Sequence, residues 1–175
     1  MAFQAGGPHA QDRGLEAVAY AWDEMRPVPA VALWEKPQGK NEPLRMEKRF
    51  RIVPRGVGLV IGCCTFPTWN GYPGLFASLA TGNAVVVKPH PAAILPLAIS
   101  VRIIRDVLAE AGFDPNVVTL VAHAAGDPTA QQLGLRPEVL RRVHHEGVDR
   151  ALARGIRGPA GHAAHPRRGG RDVDD

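Results

Sequence analysis

Three short, uninterrupted apolar runs restrict what this chain can fold into more than any other feature: GVGLVIG (56–62), AVVVKP (84–89) and NVVTLVA (116–122). Apolar runs of this length without alternation predict strands covered on both faces. Each is followed by a helix-like segment. YPGLFASLATGN predicts a short helix ending at Gly82-Asn83, a suitable C-terminal cap. PLAISVRIIRDVLAEAG places Leu97, Val101, Ile104 and Leu108 on one face and stops at Gly112. DPTAQQLG opens a third helix, with Asp127 as N-cap and Pro128 at its first position. Strand–helix alternation predicts an α/β fold, a partial doubly wound (Rossmann-like) parallel sheet with helices on both faces. Ligands of such sheets bind outside the carboxyl ends of the strands. Here those ends read GCCTFP, KPHP and AHAAGDP.

The flanks differ. QDRGLEAVAYAWDEM spaces Leu15, Val18, Trp22 and Met25 for one apolar helical face. Two alternating runs around Val31–Trp34 and Met46–Val53, joined by KPQGKNEP, predict a β-hairpin. After Phe113 the chain has no aromatic residue, and after Lys88 no lysine. From Arg141 onward eight arginines face five acids, which gives +3 of the formal +4 charge. Such a segment buries too little to offset its chain entropy. The organisation expected is therefore 1–53, helix and hairpin; 54–140, a partial nucleotide-binding domain; and 141–175, a disordered Arg/Gly/Ala/Pro/His tail.

Scattered arginines without stacking aromatics argue against a nucleic-acid reader, although phosphate contact alone would still confer salt-dependent binding. No window approaches the roughly 20 apolar residues of a membrane span, and the N-terminus lacks a basic-then-apolar leader. The expected compartment is the cytoplasm, where thiols stay reduced. The only cysteines are the adjacent Cys63 and Cys64. Neighbouring cysteines cannot form a C-x-x-C metal clip, and bridging them would strain the peptide between. His144, His145, His162 and His165 could suggest metal binding, but in a tail of this composition no metal site is expected.

From Pro54 to about Val139, in order and spacing, PRGVGLVIG-CCTFP, LATGNAVVVKPHP, LAEAGFDPNVVTLVA, GDPTA and RPEV resemble the coenzyme-binding domain of the aldehyde dehydrogenase superfamily. The wording TFPTWNGYPGLFASLATGN with KPHP, and the N-terminal AFQAGGPHAQDRGLEAVAYAW and WEKPQGK, look most like its phenylacetic acid degradation branch, PaaN. The resemblance implies NAD(P)-dependent oxidation of an aldehyde, with NADP or NAD as cofactor, and a homo-oligomer assembled through the hairpin region. Carried over, it makes Ile61, Gly62, Cys63, Lys88 and His90 cofactor contacts, with Lys88 at the adenosine ribose.

Departures from the family pattern limit the transfer. An asparagine that donates to the oxyanion in the family is Thr65 here, so Thr65 and nearby Asn70 are the alternative oxyanion donors; losing such a donor raises a barrier by roughly 3 kcal/mol. A glutamate that holds ribose hydroxyls is Pro91, which favours NADP at least as much as NAD. The family nucleophile, a downstream cysteine with its general-base glutamate, has no counterpart in these residues. Cys63 and Cys64 align with a Pro-Trp pair and are expected to be packing residues. The expectation is an inactive fragment; the alternatives are a remnant that binds nucleotide or docks on a full-length relative, and a basic-tail nucleic-acid binder. The likeness stops near Val139–Leu140. Residues 141–175 have the composition of GC-rich codons read out of frame, and a one-base shift across Gly147–Arg150 permits Gly-Ser-Thr-Glu. The expectation for 141–175 is a frameshifted sequence.

Overall fold

In the computed structural model, which describes residues 2–140, the chain forms a four-stranded parallel sheet flanked by helices, and a separate hairpin. Expectations for 141–175, including its disorder, its frame and its histidines, lie outside the described residues. A short helix α1 (Ala2–Gly6) leads into α2 (Pro8–Met25). The antiparallel pair β1 (Val31–Gln38) and β2 (Asn41–Arg49) follows. Then come β3 (Val57–Ile61), α3 (Pro67–Ala80), β4 (Ala84–Lys88), α4 (Leu95–Glu110), β5 (Val118–Leu120), α5 (Thr129–Gly134) and β6 (Val139–Leu140).

The strand order is β5-β4-β3-β6, all parallel. The chain winds from β3 to β5 in one direction and then returns to the other side of β3. The reversal between β3 and β6 is where doubly wound sheets open a ligand crevice. Alternate residues of β3 and β4 serve two cores. Val60, Val85 and Val87 pack with Leu75 of α3, Leu97 and Val101 of α4, and Val118. Leu59 and Ile61 face the other way, onto Ala130 and Leu133 of α5. Both faces being covered explains why the strands read as continuous apolar runs.

The α4 stripe is buried as its periodicity predicts: Leu97 and Val101 are in the core, with Ile104 and Leu108 against it. Gly112 ends the segment at φ +79°, a left-handed conformation that suits glycine. The α2 stripe is different. Leu15 and Trp22 remain 69% and 62% exposed, while Ala10 and Gly14 are buried. Phe76 of α3 lies against Gly14 so closely that a Cβ there would sit 2.9 Å from Phe76 Cδ2. Close approach over small residues decides which face is buried, and the larger stripe is turned aside.

Three element limits also differ from expectation. The hairpin strands extend further toward each other than the alternating pattern, leaving only Gly39-Lys40 as the turn, with Gly39 at φ +64°, while β2 stops at Arg49, short of the expected Val53. Pro37 falls at a register irregularity between Lys36 and Gln38, where a missing N–H breaks no ladder bond. Helix α3 begins at Pro67, so the Pro/Gly-rich stretch after the cysteines is its first turns. The third helix is only six residues long and begins at Thr129, so Pro128 rather than Asp127 stands at the N-cap position; Asp127 Oδ1 accepts the Thr129 N–H at 2.8 Å just before it.

Candidate functional site

The carboxyl ends of β3 and β4 are joined backbone to backbone. Ile61 is registered with Lys88, and the Gly62 N–H donates to the Lys88 carbonyl at 2.8 Å. A side chain at Gly62 has no room: its Cβ would lie 2.7 Å from Leu97 Cδ1 and 3.2 Å from Pro89 Cα. The glycine therefore lets β3 and the Lys88-Pro89 segment approach. Parity places the Ile61 and Lys88 side chains on the α5 side of the sheet, the face that carries Leu59 and Ala130.

Lys88 is only 5% exposed, yet among the described residues it has no hydrogen-bond or ion-pair partner. Burial lowers its pKa below the ordinary lysine value, because desolvation disfavours the charged form. Lys88 thus brings a mostly buried stem and an amine that no described group pairs with, and the position fits a ligand that brings an anion or a dense set of hydroxyls. His90 stands beyond Pro89, half-buried, with Nδ1 accepting the Ala92 N–H at 3.1 Å.

The loop leaving β3 forms a compact knot. Cys63 is buried, and its thiol donates to the Thr65 carbonyl. Asn70, from the first turn of α3, donates from Nδ2 to Cys63 Sγ at 2.9 Å and to the Thr65 carbonyl at 3.2 Å. Between them Phe66 adopts φ 49° and ψ 56°, a left-handed conformation that is strained for a bulky residue. Cys64 and the Thr65 side chain face outward. The Asn70 amide and the Thr65 residue thus come together, while the Thr65 hydroxyl stays 4.0 Å from Cys63 Sγ.

Two residues the sequence reading did not single out belong to the same framework. Asn83 is buried, and its Oδ1 accepts from the N–H groups of Arg55 and Gly56 at 2.7 and 3.1 Å, fixing the entry to β3. Its signal is the Gly82-Asn83 pair, read there only as a helix stop. His123 lies three residues past Leu120, the residue registered with Val87. A histidine just beyond an apolar strand at the ligand-binding end was the available signal. Among the described residues no group of three or more His, Cys, Asp or Glu could hold a metal ion. Two apolar grooves, of about 480 and 360 Å³, run beside α2 and share Val18 and Phe76; the larger is lined by Asn83, and neither by Ile61, Gly62, Cys63, Lys88, His90 or His123.

Comparison with known proteins gives the family of the chain. The family model described as "Aldehyde dehydrogenase family" matches residues 2–143. Among solved structures, an NAD-dependent aldehyde dehydrogenase from Burkholderia multivorans is 76% identical, with a TM-score of 0.77 over 79% of this chain and 25% of that one. The glyceraldehyde-3-phosphate dehydrogenase GapN from Methanocaldococcus jannaschii, complexed with NADP, is 19% identical with a TM-score of 0.52, over 74% of this chain and 26% of that one. The second likeness is one of fold. The chain spans about a quarter of the length of each. No curated protein matches it.

Proposed function

Because the chain belongs to the aldehyde dehydrogenase family, we propose that residues 54–140 form part of the nicotinamide dinucleotide site of an aldehyde-oxidising enzyme. The mostly buried Lys88 side chain, unpaired among the described residues, at the carboxyl end of β4 carries this reading. A ribose or a phosphate would supply the hydrogen-bond acceptors that the fold withholds from it. Ile61, Gly62 and Cys63 form the neighbouring wall, where bare backbone at Gly62 keeps the two strand ends close. His90 extends the basic lip. Both NAD and NADP are compatible with these groups; the Burkholderia relative is described as NAD-dependent and the Methanocaldococcus structure holds NADP.

A bound dinucleotide would accept the hydride removed from the aldehyde. This chain's own residues orient it. Both Nδ2 hydrogens of Asn70 are committed to Cys63 Sγ and the Thr65 carbonyl, so Asn70 braces this loop, and the exposed Thr65 hydroxyl is the freer donor for an oxyanion. Thr65 also supplies the loop carbonyl that holds the Asn70 amide, so the two sequence candidates take different roles. Cys63 is engaged on both sides by Thr65 and Asn70, which suits a packing and positioning role rather than nucleophilic attack. We therefore expect these 175 residues alone to bind nucleotide without turning over aldehyde.

The finer assignment, phenylacetate catabolism in the cytoplasm as in the PaaN branch, is supported by the wording of TFPTWNGYPGLFASLATGN and KPHP. No described helix is long and apolar enough to cross a membrane. Assembly through the hairpin is supported by Leu33, Trp34, Leu44 and Met46, all exposed on two strands. The test is calorimetric titration with NAD and NADP, followed by an assay for reduced nicotinamide with aromatic and aliphatic aldehydes. Binding with no turnover is expected. Turnover that disappears in Cys64→Ser would overturn the inactivity, and absence of binding would overturn the cofactor site.

A further inference from the structure

We propose that the outer face of α4 is an association surface for a second copy of this chain. The second copy packs its own α4 antiparallel on the ridge Leu95, Ile99, Ile103 and Val107, and Arg102 of each copy pairs with Asp106 of the other. This surface shares no residue with the strand-end site or with the hairpin, and it does not depend on the cofactor reading.

Helix α4 is apolar on two sides. Leu97 and Val101 are buried in the core, with Ile104 and Leu108 packed beside them. Leu95, Ile99, Ile103 and Val107 recur at every fourth position, which sets them in a single ridge along the helix. They remain 42 to 69% exposed. A helix that is hydrophobic all round is normally buried all round, and a contiguous exposed apolar patch marks an interaction surface.

The charges along the edge of this ridge indicate what covers it. Arg102 and Asp106 are both exposed, and neither enters an ion pair among the described residues. Within one helix, the basic residue ahead of the acid is the poorer order for an i,i+4 pair. Two copies crossing antiparallel about a two-fold axis level with residue 104 bring Arg102 of each level with Asp106 of the other. Both charges then lie about 3 Å along the helix from the axis, so the crossing angle displaces them little. In the same register Ile103 stands between Ile103 and Val107 of the second copy, and the ridges interdigitate rather than collide. One sequence thus carries both halves of the isologous contact that two-fold symmetry requires. Arg105 stays out of it, held by the carbonyls of Pro115 and Val118 at 3.0 and 2.8 Å. The contact is small beside a standard interface, so the association is weak and reversible.

The experiment is sedimentation equilibrium of the full chain over a range of concentrations, with each variant first checked for an unchanged thermal transition. The unaltered chain is expected to self-associate. Arg102→Asp and Asp106→Arg should each weaken that association about tenfold or more, because both pairs turn repulsive at once. The double variant Arg102→Asp/Asp106→Arg should regain it, since the exchanged charges meet again across the axis. Ile103→Gln leaves the charges in place and should weaken association as well. Trp34→Lys controls for assembly through β1 and β2 and should leave the dependence on the α4 charges unchanged. A chain that stays monomeric at every concentration, association indifferent to the α4 variants, or a double variant as weak as the single ones would overturn the proposal.

Discussion

Lys88, the residue proposed to meet the cofactor, lowers the stability of the free fold. Its ammonium is disfavoured in the folded state, so between the lowered folded pKa and the ordinary lysine value the unfolded chain holds more protons. Stability contributed by this group therefore rises with pH across that window, and the penalty is full below it. Lys88→Met keeps the length of the side chain and removes the charge. It should stabilise the free protein by on the order of 1 kcal/mol and flatten the alkaline part of the stability profile, as measured by urea unfolding at several pH values. Asn83 is the opposite case. Asn83→Ala would leave the Arg55 and Gly56 N–H groups without their acceptor, at an expected cost of about 2 kcal/mol in the same assay. The lysine was legible in the sequence because KP closes an apolar run. The second role of Asn83 was not, because its partners lie 28 and 27 positions away and no local pattern records them.

Among the elements, α2 and α4 present comparable apolar stripes in sequence, yet they meet different fates. Leu97 is completely buried against β3 and β4; Leu97→Ala should cost about 2–5 kcal/mol. Leu15, on the equivalent stripe of α2, is mostly exposed, so Leu15→Ala should change stability by less than about 0.5 kcal/mol. Thermal unfolding of the two variants separates them. Periodicity gave the existence and limits of α4 because helix and core agree there. In α2 the deciding contact is Phe76 on Gly14, and a glycine carries no hydropathy signal. The strands were readable for a related reason: a strand buried on both faces leaves a continuous apolar run, and β3, β4 and β5 all do. The six-residue α5 and two-residue β6 offer too few positions for any period, although Asp127-Pro128 did mark where α5 begins.

At the scale of the whole molecule, the described residues divide into a packed sheet and a hairpin with largely exposed side chains. A two-stranded ribbon is marginal on its own, so the amides of β1 and β2 should exchange with solvent far faster than those of β3 and β4; hydrogen-exchange mass spectrometry reads the contrast. The site inherits this division. The proposed site stands at the carboxyl ends of the well-packed strands, where Ile61 and Lys88 are fixed by register, while the hairpin leaves apolar side chains exposed. Fold class was legible because strand–helix alternation dictates a parallel sheet, and the same alternation is what points the proposed site to the strand ends. The hydrogen-bonded arrangement of Cys63, Thr65 and Asn70 was not, because the left-handed turn at Phe66 that shapes this loop falls on a residue whose type gives no warning of it. The measurement that tests the central claim most directly is thermal unfolding of the unaltered chain and of Lys88→Met, each with and without saturating NADP or NAD. Ligand that binds only the folded state raises its transition temperature. The prediction is a higher transition for free Lys88→Met than for the unaltered chain, and a nucleotide-induced rise in the unaltered chain alone. An equal nucleotide-induced rise in both proteins, or none in either, would contradict the assignment of Lys88 as the organising residue of a dinucleotide site.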